Sequence, residues 1–84
     1  MSEVISVQVL LFARFAELLG AERVQVRVTA PARVRDVVAR VAELAGADAL
    51  GTRPLVARDL VQVSLDEPVR AGDEFALLPP LAGG

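Results

Sequence analysis

Residues 32–45 read ARVRDVVARVAELA, and this stretch decides the fold because it carries the longest helical periodicity in the chain. Pro31 suits a first helical turn, where its missing N–H is not needed, and Gly46 ends the segment. An i, i+4 ion pair between Asp36 and Arg40 is expected on the polar side. The stretch therefore predicts one main amphipathic helix. Its apolar stripe consists of Val34, Val37, Val38, Val41 and Leu44.

The segments before this helix predict two strands and a short helix. Residues 4–12, VISVQVLLF, are rich in β-branched and apolar side chains, which is typical of a strand. Residues 14–20 change to helical spacing and close on Gly20, a common type of helix C-cap. Residues 23–28, RVQVRV, alternate strictly between valine and polar residues, so we expect a half-buried strand antiparallel to the first.

The segments after the helix predict a loop and several short strands. Residues 47–54 predict the loop, and residues 55–65 predict either two short strands or one bent strand, with the turn near Arg58 and Asp59. A turn-rich stretch, 66–73, precedes the last strand, 74–78. A helix that crosses between the strands of a small mixed sheet indicates an α+β fold with one sheet face buried.

Length and composition bound the possible classes of protein. A chain of 84 residues accommodates one domain with one core, and an apolar content of 54% favours a globular domain. Its apolar stretches are shorter than the ~18 residues that a membrane span needs. The N-terminus lacks the basic region that begins a signal peptide, so the cytoplasm is the expected location.

Missing residue types argue against several kinds of site. The sequence has no Cys and no His, which excludes a thiol nucleophile and the usual general base. It has no Trp or Tyr and a net charge of −2, a poor match to a nucleic-acid-binding surface. Residues 65–84 hold four carboxylates and one arginine, a sum of −3. That stretch is either a solvated hairpin or an acidic patch that meets a basic partner.

The last ten residues, FALLPPLAGG at positions 75–84, give the strongest functional signal. Pro79 and Pro80 cannot donate to a strand ladder, so we expect pairing to stop at Leu78 and the tail to run extended. Gly83 and Gly84 have no Cβ, so this backbone can pass through a narrow channel. The group that such a channel would receive is the terminal carboxylate.

A terminal carboxylate must be activated before it can react. A mixed anhydride with AMP is one such activated form, and a sulfur nucleophile can displace AMP from it to leave a thiocarboxylate. A thiocarboxylate is ionised at neutral pH and presents a nucleophilic sulfur. Because the chain has no cysteine, Gly84 is the chemically sensible place for it to carry sulfur.

The chain resembles the small subunit of molybdopterin synthase, a family of ubiquitin-like sulfur carriers. The resemblance lies in VQVLLFARFAELLG at residues 7–20, in AGDEFALLPPLAGG at residues 71–84, and in the strand–helix spacing between them. It implies a ubiquitin-like β-grasp fold, with a domain at residues 1–78 and an extended C-terminal tail at residues 79–84.

The resemblance also implies a mechanism and partners. A separate ATP-dependent activating enzyme adenylates Gly84, and a sulfur donor system then supplies the sulfur. The tail inserts into the large subunit of molybdopterin synthase, which binds cyclic pyranopterin monophosphate and forms the molybdopterin dithiolene in a heterotetramer. This chain would bind no cofactor itself, and ATP would be used by the activating enzyme. It would act as a sulfurtransferase only with the large subunit, and neither nucleic acid nor membrane would be a partner.

The family's functional positions transfer to the end of this chain. Gly84 becomes the catalytic residue, first as adenylate and then as thiocarboxylate. Leu78 becomes a partner contact, with Phe75 and Phe12 as further candidates, although ordinary core is the better interpretation of both phenylalanines. The inserted arm is Gly83, Ala82, Leu81, Pro80 and Pro79.

The sequence departs from the family at two places. Ala16 precedes Glu17 where the family often has Arg, and residues 57–59 (ARD) stand where it often has a Val-Asn pair.

Three alternative functions stay open. The first alternative is a sulfur carrier for thiamine, cysteine or tRNA thiolation. The second is a protein modifier that forms isopeptide bonds through Gly84, and the third is a plain interaction module.

Overall fold

The computed structural model describes residues 3–46 and 54–79 of the chain. Strands predominate over these residues, with one short and one long helix between them. In chain order the elements are β1 (Glu3–Leu11), α1 (Arg14–Leu19), β2 (Arg23–Ala30), β3 (Ala32–Arg33), α2 (Val34–Ala45), β4 (Leu55–Arg58), β5 (Val61–Gln62), β6 (Pro68–Val69) and β7 (Glu74–Leu78).

Five of the strands form one mixed sheet in the order β2-β1-β7-β4-β5. β1 and β2 are antiparallel, as the sequence predicts, with Ile5 opposite Val28 and Val9 opposite Val24. β7 lies between β1 and β4, parallel to β1 and antiparallel to β4. The last strand of the chain is therefore an inner strand, paired along both of its edges.

The core lies between one face of this sheet and the two helices. Alternate residues of the strands point into it, which is the period of a sheet with one buried face. Phe15 of α1 is fully buried and Phe75 of β7 is 1% exposed. The remaining buried residues of the sheet and of α2 include Ile5, Val7, Val9, Leu11, Val26, Val28, Val34, Val37, Val41, Val56 and Leu77.

The main helix begins two residues later than the sequence predicts. Ala32 and Arg33 are extended and form β3, which pairs with β6. The first N–H groups of a helix lack partners within it, and here Val34 donates to the carbonyl oxygen of Glu67 at 2.9 Å. The helix start is therefore fixed by a distant segment, and Pro31 precedes the helix instead of occupying its first turn.

Two details of the predicted helix surface are wrong. Asp36 accepts a hydrogen bond from the backbone N–H of Arg33 at 2.8 Å, which closes the first turn. Arg40 pairs with Glu43 instead of Asp36. Leu44 was placed in the apolar stripe but is 55% exposed, because it lies at the C-terminal end of α2 beside the outermost strand of the sheet, β2.

The predicted turns are confirmed where the structure describes them. Gly20 caps α1 in the left-handed conformation, at φ 67°. β4 and β5 form a hairpin whose two loop residues, Asp59 and Leu60, have φ of 54° and 68°. Two positive φ values match the right-handed twist of a hairpin. The predicted loop at residues 47–54 falls outside the described residues except for its last position. Within the described ranges, no helix is long and apolar enough to cross a bilayer.

Candidate functional site

The base of the tail is fixed in the middle of the sheet. Leu77 of β7 pairs with Leu11 on one side and is 1% exposed. Leu78 pairs with Leu55 of β4, and this is the last pair of the strand, as the two prolines predict. The tail therefore leaves the domain from an anchored strand. Pro79, half-buried, is the last residue that the structure describes.

The remainder of the predicted arm falls outside the described residues. It comprises Pro80, Leu81, Ala82, Gly83 and Gly84. The roles assigned to these residues, and the division of the chain into a domain and a tail after residue 78, stay predictions.

The sheet face opposite the core carries an apolar surface beside this base. Val9, Val56 and Leu77 point into the core, so their neighbours along each strand point to the opposite face. Register brings these neighbours together, because Ala76 lies between Leu10 and Ala57. We call the group the tail-base surface. It consists of Leu10, Leu55, Ala57, Ala76 and Leu78, together with Phe12, which follows β1 directly and lines a neighbouring concavity with Leu10.

A shallow concavity lies at the centre of this surface. It measures about 450 Å³ and its floor includes Leu10, Ala57 and Ala76. Leu60, at the tip of the β4–β5 hairpin, stands at its rim and is fully exposed. Because a bulky side chain at positive φ is disfavoured, the hairpin holds Leu60 outward at some conformational cost.

The three predicted partner contacts have different positions. Phe12 follows β1 directly and is 45% exposed, so it is available to a partner. Leu78 is half-buried on the tail-base surface. Phe75 is 1% exposed and belongs to the core, because its position in β7 points toward the helices. The structure corrects the expectation for Phe75, whose side chain cannot meet a partner from there.

Arg58 holds the segments around β7 together. Its guanidinium donates to the carboxylate of Glu67 and, at 3.4 Å, to that of Asp73. It also donates to the carbonyl oxygen of Pro68 at 3.1 Å and lies 5.9 Å from the centre of the Phe75 ring. The hydrogen bond to Glu67 raises the pKa of Arg58 above its ordinary value. Arg58 therefore stays cationic throughout the range of pH in which proteins are handled.

These ion pairs correct the idea of a strongly acidic patch near the tail. Glu67 and Asp73 pair with Arg58, and Asp66 pairs with Arg35 of α2. Of the four carboxylates in this stretch, only Glu74 has no ion pair within residues 3–46 and 54–79. The excess negative charge is thus mostly neutralised by arginines from other segments.

Arg58 is a structural centre that was not predicted from the sequence. The signal was present, since an arginine ends an otherwise apolar strand and an acidic stretch follows closely. The described residues also contain no group of three or more carboxylates placed to hold a metal ion.

Comparison with known proteins places the chain in a family. The model of the ThiS family matches residues 9–84. Among curated proteins, none matches the chain significantly in sequence.

Solved structures of similar proteins share the whole fold. SAMP1 from Haloferax volcanii, a small archaeal modifier protein, is 33% identical over 94% of this chain and 99% of its own, with a TM-score of 0.78. A protein from Pyrococcus furiosus, assigned as subunit 1 of a molybdopterin converting factor, is 26% identical over 92% of this chain and 99% of its own, with a TM-score of 0.79. The β-grasp, ubiquitin-like fold that the sequence predicts is confirmed. The chain belongs to the ThiS family of ubiquitin-like sulfur carriers.

Proposed function

We propose that this chain is the sulfur carrier subunit of molybdopterin synthase, with Gly84 as the residue that carries the sulfur. The observation that supports the proposal best is a Pro-Pro-x-x-Gly-Gly ending on an inner strand of a sulfur-carrier fold. An anchored strand with a thin, extended continuation delivers a backbone carboxylate into a partner's site. The Pyrococcus relative, by its name, supports this pathway.

The reaction sequence begins at the carboxylate of Gly84. A carboxylate oxygen attacks the α-phosphorus of ATP in the activating enzyme, and pyrophosphate leaves. Hydrosulfide from the donor system then attacks the acyl carbon, and AMP leaves with the bonding electron pair. In the large subunit, the sulfur of the resulting thiocarboxylate bonds to a side-chain carbon of cyclic pyranopterin monophosphate as a carbon–oxygen bond at that carbon breaks and the oxygen leaves with the electron pair. Hydrolysis of the acyl–sulfur bond leaves the sulfur on the pterin and returns the carboxylate, and two rounds complete the dithiolene.

The partners divide this work. The activating enzyme uses ATP, the large subunit holds the pterin, and this chain supplies the sulfur and the surface by which both partners recognise it. The tail-base surface suits that role because it is apolar, partly exposed and adjacent to the point where the tail leaves. Catalytic activity would belong to the heterotetramer with the large subunit and not to this chain alone.

A second candidate function is protein modification. The Haloferax relative is named a modifier protein and shares 33% identity with this chain. In that function the amine of a target lysine would attack the activated Gly84 carbonyl, and an isopeptide bond would replace the thiocarboxylate. The same tail and activation step serve both functions, so the nucleophile in the second step distinguishes them.

Reconstitution with purified proteins tests the main proposal. Thiocarboxylated protein, prepared by thiolysis of an intein fusion, is incubated with cyclic pyranopterin monophosphate and large subunits from the same source. We expect molybdopterin, measured as its fluorescent oxidation product, with two carriers consumed for each pterin. No product with any large subunit would contradict the pathway, and high-mass conjugates in cells that vanish without Gly84 would favour the modifier.

A pair of variants tests the docking role of the tail-base surface. Phe12→Ser removes an aromatic side chain that is 45% exposed on that surface. Leu18→Ser removes an apolar side chain of α1 that is 47% exposed. We expect Phe12→Ser to weaken binding to the large subunit by about tenfold, the usual loss at a central aromatic contact. Leu18→Ser should bind as the unaltered chain does. Equal affinities of the two variants would exclude the tail-base surface from this contact.

A further inference from the structure

Among residues 3–46 and 54–79, no strand pairs with the outer edge of β2. β2 lies at one end of the five-stranded sheet and pairs with β1 along its inner edge. The N–H of Leu11 donates to Glu22 at 2.9 Å, which continues the ladder. Because hydrogen-bonded pairs alternate in an antiparallel ladder, the backbone N–H and C=O groups of Arg23, Gln25 and Arg27 point away from β1. A row of this kind is where an extended chain can add a strand.

A groove follows this edge where it passes α2. Two concavities, of about 560 and 190 Å³, both include Arg27 of β2 and Arg40 of α2 in their lining, so they are contiguous. One also includes Ala39, and the other Leu44, which is 55% exposed. On the side of the helix the groove offers Ala39 and Leu44 among the charged side chains of Asp36, Arg40 and Glu43, and on the side of the strand it offers backbone hydrogen bonds.

The charges on β2 select the kind of chain that fits. Arg23 and Arg27 lie on one face of the strand, four residues apart, and neither makes an ion pair within the described part of the chain. Arg40, in contrast, is already paired with Glu43. An added strand would place two of its residues opposite Arg23 and Arg27, and carboxylates at those positions would form cross-strand ion pairs.

We propose that the outer edge of β2, with the groove beside α2, is a docking site for an extended acidic segment of another protein. The segment has carboxylates at positions i and i+4, which face Arg27 and Arg23, and apolar residues at i+1 and i+3 on the side of α2, where i+1 lies beside Leu44. A second copy of this chain is a poor occupant, because two β2 strands would gather four arginines on one face. Since β1 separates β2 from β7, such a segment would leave the end of β7 uncovered.

The probe for this site is a synthetic peptide whose central residues are Glu-Val-Thr-Val-Glu, labelled for fluorescence anisotropy. A control peptide has lysine in place of both glutamates. We expect the acidic peptide to bind, with backbone amide shifts in NMR spectra concentrated in β2, and the lysine peptide to show no binding.

Three variants distinguish strand addition from general attraction of charge. Arg27→Glu should weaken binding of the acidic peptide by at least about tenfold. Arg70→Glu changes net charge equally at an exposed site away from β2 and should leave the affinity unchanged. Gln25→Pro removes an outward N–H that the ladder with β1 does not use, so it should weaken binding while the NMR spectrum of the core is retained.

Several results would overturn the proposal. These are absence of binding by the acidic peptide, equal affinities of Arg27→Glu and the unaltered chain, or amide shifts confined to the tail-base surface. Sedimentation of the protein without peptide tests whether a second copy of the chain occupies the edge of β2. A dimer that dissociates in Arg27→Glu would assign the edge to a second copy and exclude the acidic partner. Should Gln25→Pro fail to fold, Arg27→Glu and Arg70→Glu still decide the question.

Discussion

Arg58 connects three segments of the chain through one side chain. It belongs to β4, and its partners Glu67 and Asp73 lie before β6 and before β7. Its side chain is 25% exposed, whereas those of Arg35 and Asp66 are 57% and 63% exposed. Because solvent screens exposed pairs more effectively, the Arg58 network should contribute more to stability than the Arg35 pair.

Replacing these arginines tests that difference. We expect Arg58→Met to lower the free energy of unfolding by about 1–2 kcal/mol, since it removes the cationic partner of two partly buried carboxylates. The matched control, Arg35→Met, should change it by no more than about 0.5 kcal/mol. Urea denaturation gives both values. Similar losses in the two variants would contradict the assignment of Arg58 as the structural centre.

Leu60 has a backbone conformation that a leucine side chain disfavours. It is fully exposed, so its side chain gains nothing from packing, yet its φ is 68°. Asparagine tolerates this conformation better than leucine. We therefore expect Leu60→Asn to raise the free energy of unfolding by about 0.5–1 kcal/mol.

The neighbouring residue provides the control for this gain. Val61 is also exposed but lies in β5 without a positive φ, so Val61→Asn should give no increase. A destabilised Leu60→Asn variant, measured by the same denaturation, would show that Leu60 packs against the tail-base concavity in solution.

At the scale of elements, α2 packs against the core through one narrow stripe of valine side chains. Val34 and Val41 are fully buried in it, whereas Leu44, at the far end, lies mostly in solvent. We expect Val41→Ala to lower the free energy of unfolding by about 1.5–3 kcal/mol, because it removes methyl groups from a packed site. Leu44→Ala should change it by less than about 0.5 kcal/mol. Comparable losses would mean that the C-terminal turn of α2 is packed more deeply than the structure has it.

Elements with strong local periodicity were predictable from the sequence, and those set by distant partners were not. The valines of β1, β2 and α2 repeat at the period of their own element, so local sequence predicted them. β3 and β6 are two residues long and exist because they pair with each other. The start of α2 depends on the carbonyl of Glu67, which no local pattern contains. Local sequence does not distinguish Phe75 from Phe12. Phe75 is buried and Phe12 is exposed because of their positions relative to the core.

At the scale of the whole molecule, the fold anchors the strand that precedes the predicted tail. β7 is held on both sides by β1 and β4, with an apolar surface at the point where the tail leaves. The extended tail stays a prediction, which rests on the physical meaning of paired prolines and terminal glycines. The tail-base surface was less predictable, since it is assembled from three strands that are distant in sequence.

Gly83 tests whether the tail must be thin. We expect Gly83→Val to leave the denaturation midpoint unchanged, since residue 83 lies beyond the strand pairs that build the sheet. The same change should slow adenylation or sulfur transfer by about a hundredfold, because a branched side chain would displace the reacting carboxyl in a narrow channel. Ala82→Gly serves as the control that thins the tail further, and it should keep its activity. Full activity of Gly83→Val would contradict the narrow-channel argument.

The most direct test of the central claim is the intact mass of the protein isolated from cells of its source. Replacement of one terminal oxygen by sulfur adds about 16 Da. We predict a fraction of the protein with this added mass, located to Gly84 by fragmentation and absent from a chain that lacks Gly84. Protein with the unmodified mass alone, from cells that are actively making molybdopterin, would contradict the assignment of this chain as their sulfur carrier.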